Sequence, residues 1–438
     1  MTTPQPTLIG TDSDTLSPDA SVSNRSKTTA GELFNGFFTS GTNWSFRKDG
    51  ILDVRGRRLF GMMTLACKED VYPYQVPLES RTGPWVQAEG RRMLMLSSYD
   101  YLSLVGDPRV EAAGIAAIRR FGSASGGARL LTGTNVLHRQ IEAEMAAFKG
   151  TESALTFSSG YNANLGVISG LFTAQDRVIL DTLSHRSLVD ACRLAGVQLQ
   201  RFKHNDMDSL REELRSGSGN RTLIVADGVF SMDGDVCPLP ELIQIKRDFG
   251  ALLMIDDAHA IGVLGATGRG TDEHFGVSTS DVDLWTGSFA KSIPSTGGFI
   301  AMSEEVSMFL QHSTSPYIFS AALCPASAGA IQAGLSILRE EPQLVTQLRN
   351  RANYLRDGLQ DLGYDTGGST TPIIPVILND EEAAMRFSRA LRDFDILISP
   401  VVFPAVGLGT ARLRICVNAG HTISDLDYTL DAFRKLKK

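Results

Sequence analysis

Lysine is the scarce cation of this chain. Of its 42 basic side chains only ten are lysines, and between Lys246 and Lys435 there is one, Lys291. Cysteine is scarce too. Cys67, Cys192, Cys237, Cys324 and Cys416 are odd in number and widely spaced, and no CxxC pair occurs. This argues against a disulfide framework or a zinc knuckle, and for free thiols in a reducing, cytoplasmic compartment. No uncharged apolar run approaches the ~18 residues of a membrane span, and the first thirty residues lack the apolar core of a signal peptide. A formal charge of -7 over 438 residues offers no cationic footprint for a phosphate backbone. Nucleic acid is therefore not expected as a main partner. A dinucleotide-binding dehydrogenase is disfavoured as well, because no GxGxxG follows the first strand of the α/β region.

What is present is ordinary globular chemistry, 42% hydrophobic, 21% charged and 8% aromatic. The length suggests two or three domains. Residues 1–31 are rich in Ser, Thr, Asp and Pro and read as a disordered extension. Residues 32–106 mix short apolar pieces with turns and read as an N-terminal arm that packs on something else. A helix is expected from Asp107, a capping residue, through Pro108 to the stop at Gly122. From residue 138 strands and helices alternate, with seven apolar runs at Ser153–Phe157, Val178–Asp181, Leu199–Phe202, Thr222–Asp227, Leu252–Asp256, Leu284–Ser288 and Gly298–Met302. Such alternation predicts an α/β domain with a mostly parallel sheet over 107–325. Residues 326–438 read as a small α+β domain. A long helical region over about 326–362 leads into it, and a last helix begins at Thr422-Ile423-Ser424-Asp425.

Three clusters at predicted strand ends carry chemistry. Phe157-Ser158-Ser159-Gly160-Tyr161-Asn162 runs from a strand through glycine into a helix, whose first amides suit an anion. Alone it also reads as a plain turn. Met254-Ile255-Asp256-Asp257-Ala258-His259 puts two carboxylates and a histidine after a buried strand. A solvated loop or a cap reads equally well, and no second His or Cys group is spaced to complete a metal site. Trp285-Thr286-Gly287-Ser288-Phe289-Ala290-Lys291-Ser292 sets the lone lysine behind an apolar strand. Most lysines are surface charges, but one partly desolvated among small residues loses its proton readily and becomes a nucleophile. An anion cradle, a carboxylate and such a lysine are together what pyridoxal 5'-phosphate requires.

With these residues in view the chain resembles the α-oxoamine synthase family of fold-type I pyridoxal-phosphate-dependent transferases, from about Val71 to the C-terminus. The resemblance lies in Tyr72-Pro73-Tyr74, Glu79-Ser80, the stretch Gly126 to Glu142, and Asp181-Thr182-Leu183-Ser184-His185. It continues in His204-Asn205-Asp206, Val229 to Asp235, Asp256 to His259, Gly268-Arg269-Gly270, Ser288 to Ser292 and Ala411 to Arg414. It implies a large domain with a seven-stranded, mostly parallel sheet and a small C-terminal domain. It also implies roles. Lys291 is the Schiff-base lysine, Asp256 pairs with the pyridine nitrogen, and His185 stacks on the ring. His259, with Ser231, contacts the ring hydroxyl. Gly160, Tyr161, Ser288 and Ser320 hold the phosphate, and Arg414 binds the substrate carboxylate. The implied activity is that of an acyltransferase. It is a decarboxylative Claisen condensation of a small amino acid with an acyl-CoA or acyl-carrier-protein thioester, by a homodimer with the active site at the subunit interface.

The pattern also departs. Tyr99-Asp100-Tyr101-Leu102-Ser103-Leu104 stands where the family has Asn-Asn-Tyr-Leu-Gly-Leu, which makes Asp100 the expected substrate neighbour. Ala321 replaces a common Thr beside Ser320, Gly407 a usual Pro, and Val402 an Arg found in some members. These departures suggest a specialised, biosynthetic-pathway member. The competing expectations are an aminotransferase or lyase on the same fold, and a non-catalytic partner subunit. The presence of Lys291, Asp256 and His185 speaks against the latter.

Overall fold

The computed structural model describes residues 71–217 and 219–437, with Gly56 and Ala66. The extension expected over 1–31 and the first part of the arm expected over 32–106 lie outside the described residues.

The first strands are a hairpin, β1 (Trp85–Ala88) and β2 (Arg91–Met95). Helix α1 (Pro108–Phe121) follows; the Asp107 carboxylate accepts from the Arg109 amide and Gly122 ends it at φ 85°. Helix α2 (Val136–Lys149) leads into an alternating run: β3 (Ser153–Phe157), α3 (Gly160–Leu171), β4 (Arg177–Asp181), α4 (Arg186–Ala195) and β5 (Gln198–Phe202). The run continues with α5 (Met207–Ser216), β6 (Thr222–Asp227), α6 (Leu239–Phe249), β7 (Leu252–Asp256), β8 (Leu284–Ala290) and β9 (Pro294–Met302).

The seven strands β3 to β9 form one sheet in the order β3-β9-β8-β7-β6-β4-β5. Strand β9 runs antiparallel to both its neighbours, and the other pairs are parallel. The cause is visible residue by residue. Ile179, Ile224, Leu253 and Ile255 face one hydrophobic core, while Val178, Leu180, Leu223, Val225 and Met254 face the other. Both faces are buried, so the strands read as continuous apolar runs and need helices on each side. The parallel strands end together, which brings Asp181, Asp227, Asp256 and the chain leaving β8 at Lys291 to one edge.

The C-terminal region starts with α7 (Pro325–Glu340) and α8 (Gln343–Asp361). The long helical region expected over about 326–362 is thus two helices. Pro342 has no amide to extend the first, so the chain restarts there. The remaining elements are β10 (Ile373–Ile377), α9 (Glu381–Arg392), β11 (Ile396–Leu397), β12 (Ser399–Val401), β13 (Arg412–Cys416) and α10 (Ile423–Leu436). The extended run 396–401 divides at Ile398. Its first half joins β2 and its second half joins β13. Helix α10 opens with a full capping box between Thr422 and Asp425. Among the described residues no helix is long and apolar enough to cross a membrane.

Candidate active site

At the strand ends lies an inner cavity of about 60 Å³. Seven of the residues expected from the sequence line it: Gly160, Tyr161, His185, Asp256, His259, Ser288 and Lys291. Asn164, Asp227, Val229 and Ala258 complete the lining and were not singled out beforehand.

The floor is a carboxylate held in place. Asp256 is 5% exposed. Its oxygens accept from the Asn164 amide nitrogen at 2.7 Å and from the Ala258 backbone amide at 3.0 Å. Asn164 also donates to Ser187 Oγ at 2.9 Å, and Ser187 lies 2.7 Å from His185 Nδ1. With Ser187 accepting from Asn164, its hydroxyl proton is free for His185. A hydrogen-bonded string thus runs from Asp256 to His185. Burial holds the His185 imidazole below its ordinary pKa, against the opposing pull of Asp256. That ring is neutral near pH 7, with Nδ1 as acceptor.

Asp227 pairs in register with Asp256 on the adjacent strand. Burial first, then the charge of Asp256, pushes its carboxyl well above the usual range. One Oδ accepts the His185 backbone amide at 3.2 Å. The two acids thus differ: one partnered by Asn164, the other pushed towards its neutral form.

Lys291 follows β8 directly and is half-buried. Loss of solvent lowers the pKa of its ammonium, which Asp256 partly restores and Arg414 lowers again. His259 is buried, with Nδ1 2.8 Å from the Tyr101 hydroxyl. Burial and the nearby cations Lys291 and Arg414 keep its imidazole well below its usual pKa.

The opposite end of the cavity is built for an anion. Ser159 caps α3 by accepting from the Asn162 amide, which leaves the Gly160 and Tyr161 amides without intrahelical acceptors. Gly160 is closely packed: a Cβ there would lie 3.0 Å from Ser288 Cβ and 3.2 Å from the Gly287 carbonyl. Opposite it, a Cβ on Gly298 would sit 2.4 Å from Gly160 N. Ser288, 9% exposed, brings its hydroxyl to the same end.

The other expected residues stand apart from the inner cavity. Arg414 is buried and donates from Nε to the Ser231 carbonyl at 2.5 Å. Ser231 is half-buried in the turn after β6. Ser320 is half-buried beside the isolated bridge between Ala128 and Ala321. Asp100 lines an outer cavity of about 460 Å³ next to Lys291. Its oxygens are already committed to the amides of Leu104 and Val105, at 2.9 and 3.2 Å. The aromatic ring facing the lysine belongs to its neighbour, Tyr99.

Known proteins share this architecture. A family model described as aminotransferase class I and II matches residues 91–433. A putative 8-amino-7-oxononanoate synthase from Desulfovibrio desulfuricans is 44% identical over 350 residues, covering 80% of this chain and 91% of its own. The 8-amino-7-oxononanoate synthase of Geobacter sulfurreducens is 41% identical over 385 residues, 87% of this chain and 98% of its own. The chain belongs to the α-oxoamine synthase family. As an α-oxoamine synthase it has the fold-type I architecture and uses pyridoxal phosphate as cofactor. Among solved structures, serine palmitoyltransferase from S. paucimobilis is similar with a TM-score of 0.84 at 31% identity, over 88% of this α-oxoamine synthase and 98% of that chain.

The residues present fit that cofactor. The glycine cradle, which no Cβ could share, suits its phosphate. The Asn164-braced Asp256 suits its ring nitrogen, and the Lys291 amine suits its aldehyde.

Proposed function

We propose that this α-oxoamine synthase joins a small amino acid to an acyl-CoA or acyl-carrier-protein thioester, releasing thiol and carbon dioxide and giving an α-amino ketone. The observation that carries the reading is the convergence of Lys291, Asp256 and His185 on one cavity at the strand ends.

Bound pyridoxal phosphate supplies an electron sink that makes a Cα proton removable. Lys291 would hold the aldehyde of that group, and its amine, short of solvent and lowered in pKa, would take the proton from the amino acid's Cα. Asp256, braced by Asn164, would keep a proton on the ring nitrogen. His185 would cover a ring face. His259, oriented by Tyr101, would meet the ring hydroxyl together with Ser231. The amides of Gly160 and Tyr161 with the Ser288 hydroxyl would hold the phosphate. Arg414 takes the substrate carboxylate, a pairing its planar fork suits.

The enzyme works as a homodimer in which Ser320 reaches the partner's phosphate site. Its compartment is the cytoplasm, consistent with the buried free thiols Cys192, Cys237 and Cys416.

Purified protein should be yellow from lysine-bound cofactor, and Lys291→Ala should lose that band while still folding. Thiol and carbon dioxide should appear together when glycine, alanine or serine meets an acyl thioester. A keto acid without carbon dioxide would point to an aminotransferase, and a colourless protein that takes up no pyridoxal phosphate would overturn the reading.

A further inference from the structure

We propose that Tyr99 sets the size of the amino acid accepted, its ring limiting the substrate side chain to a hydrogen, methyl or hydroxymethyl group. The inference rests on the pyridoxal-phosphate reading above and deepens it.

Two side chains define where the amino acid lies. Lys291 must reach its Cα proton and Arg414 its carboxylate. These parts of an amino acid are one bond apart, ~1.5 Å, so the molecule lies between the two side chains. The Tyr99 ring is beside both. Its centroid is 5.6 Å from Lys291 Nζ and 5.8 Å from Arg414 Cζ. It also stands edge-on to the His259 ring, 6.4 Å between centroids. A side chain leaving Cα therefore grows towards an aromatic wall.

The wall is fixed from behind. The adjacent Asp100 clamps its own turn through the amides of Leu104 and Val105. Tyr101, fully buried, is tied to His259 by its hydroxyl. Tyr99 itself is 46% exposed and lines the outer cavity, so its removal opens space without emptying a core. An apolar wall discriminates by size, each surplus methylene costing ~10–200-fold. The phenol hydroxyl is not needed for this.

The test measures binding of alanine and valine to the cofactor-loaded enzyme, by the cofactor spectrum and by calorimetry. Wild type should favour alanine. Tyr99→Ala, with Tyr99→Asn as a second opened variant, should raise the valine-to-alanine affinity ratio at least about tenfold. Tyr99→Phe should leave the ratio as in wild type. A ratio that stays within about twofold of wild type in both opened variants overturns the inference alone. So does a Tyr99→Phe that shifts it as far as Tyr99→Ala. If no amino acid binds wild type by either readout while pyridoxal phosphate is held, the functional reading fails and the inference with it.

Discussion

Asp256 is legible in the sequence, but the group that aims it is not. Asn164 lies in the helix GYNANLGVISGL, where it reads as one polar residue on an apolar face. Only the fold reveals that it is 2% exposed and bonded to a carboxylate 92 positions away. A hydrogen bond to an ionised group is worth ~1.5–3 kcal/mol. Asn164→Ala should therefore weaken pyridoxal phosphate binding about tenfold or more, read by absorbance titration of the cofactor-free protein. Asn164→Asp should be worse, since it adds a carboxylate beside Asp256 and Asp227. Equal affinity in the alanine variant would show that the Ala258 amide alone suffices. Asp227 was hidden for a different reason: it reads as the polar end of a strand, and its effect depends on register with Asp256. At the neighbouring positions Tyr99 and Asp100 the structure adds what the motif does not say: the Asp100 carboxylate, beside the outer cavity, also holds its own turn, and the aromatic ring of Tyr99 faces the lysine.

Between elements, one histidine ties two strand ends to the loop that meets Arg414. His204, just after β5, bonds Asp181 of β4 at 3.0 Å through Nδ1 and Asp235 at 2.8 Å through Nε2. Its ring also packs edge-on against Phe230. Burial alone would lower its pKa. The two carboxylates outweigh burial and raise it from 6.5 to about 10. The folded chain thus holds this proton more tightly than the unfolded chain. The stability it contributes is full below pH 6.5 and is lost as pH rises towards 10. His204→Gln should be less stable than wild type by about 1–2 kcal/mol near pH 6, allowing for solvent at a partly open site. The two should converge near pH 10. Thermal melts across that range check it, and parallel curves would refute it. Strands β4, β6 and β7 were readable because they are apolar on both faces. The β1–β2 hairpin was not: Arg91 and Arg92 are exposed, and the strand beside β2, Ile396–Leu397, is some 300 positions away.

At the scale of the whole molecule, one surface is hard to reconcile with a single copy in water. Leu131 is 75% exposed and Phe319 82% exposed. The bridge between Ala128 and Ala321 draws their two segments together. Large apolar side chains exposed on adjoining segments suit an interaction surface, and identical chains most often meet about a two-fold axis. Periodicity along one chain cannot announce a surface whose partner would be a second copy. The same is true of Ser320, which adjoins Phe319 and is absent from the lining of its own chain's inner cavity. If the second copy covers Phe319, Ser320 is carried with it towards the partner's phosphate. Sedimentation should then give wild type twice the chain mass, and the double variant Leu131→Glu/Phe319→Glu should sediment as a monomer. The monomer should keep its melting behaviour, since neither residue is in a core, yet bind pyridoxal phosphate about tenfold more weakly, the scale of one lost charged hydrogen bond. Ser320→Ala should lose the same affinity and remain a dimer. A wild type that sediments as a monomer, or a Ser320→Ala dimer with undiminished affinity, would break the link between the exposed surface and the site.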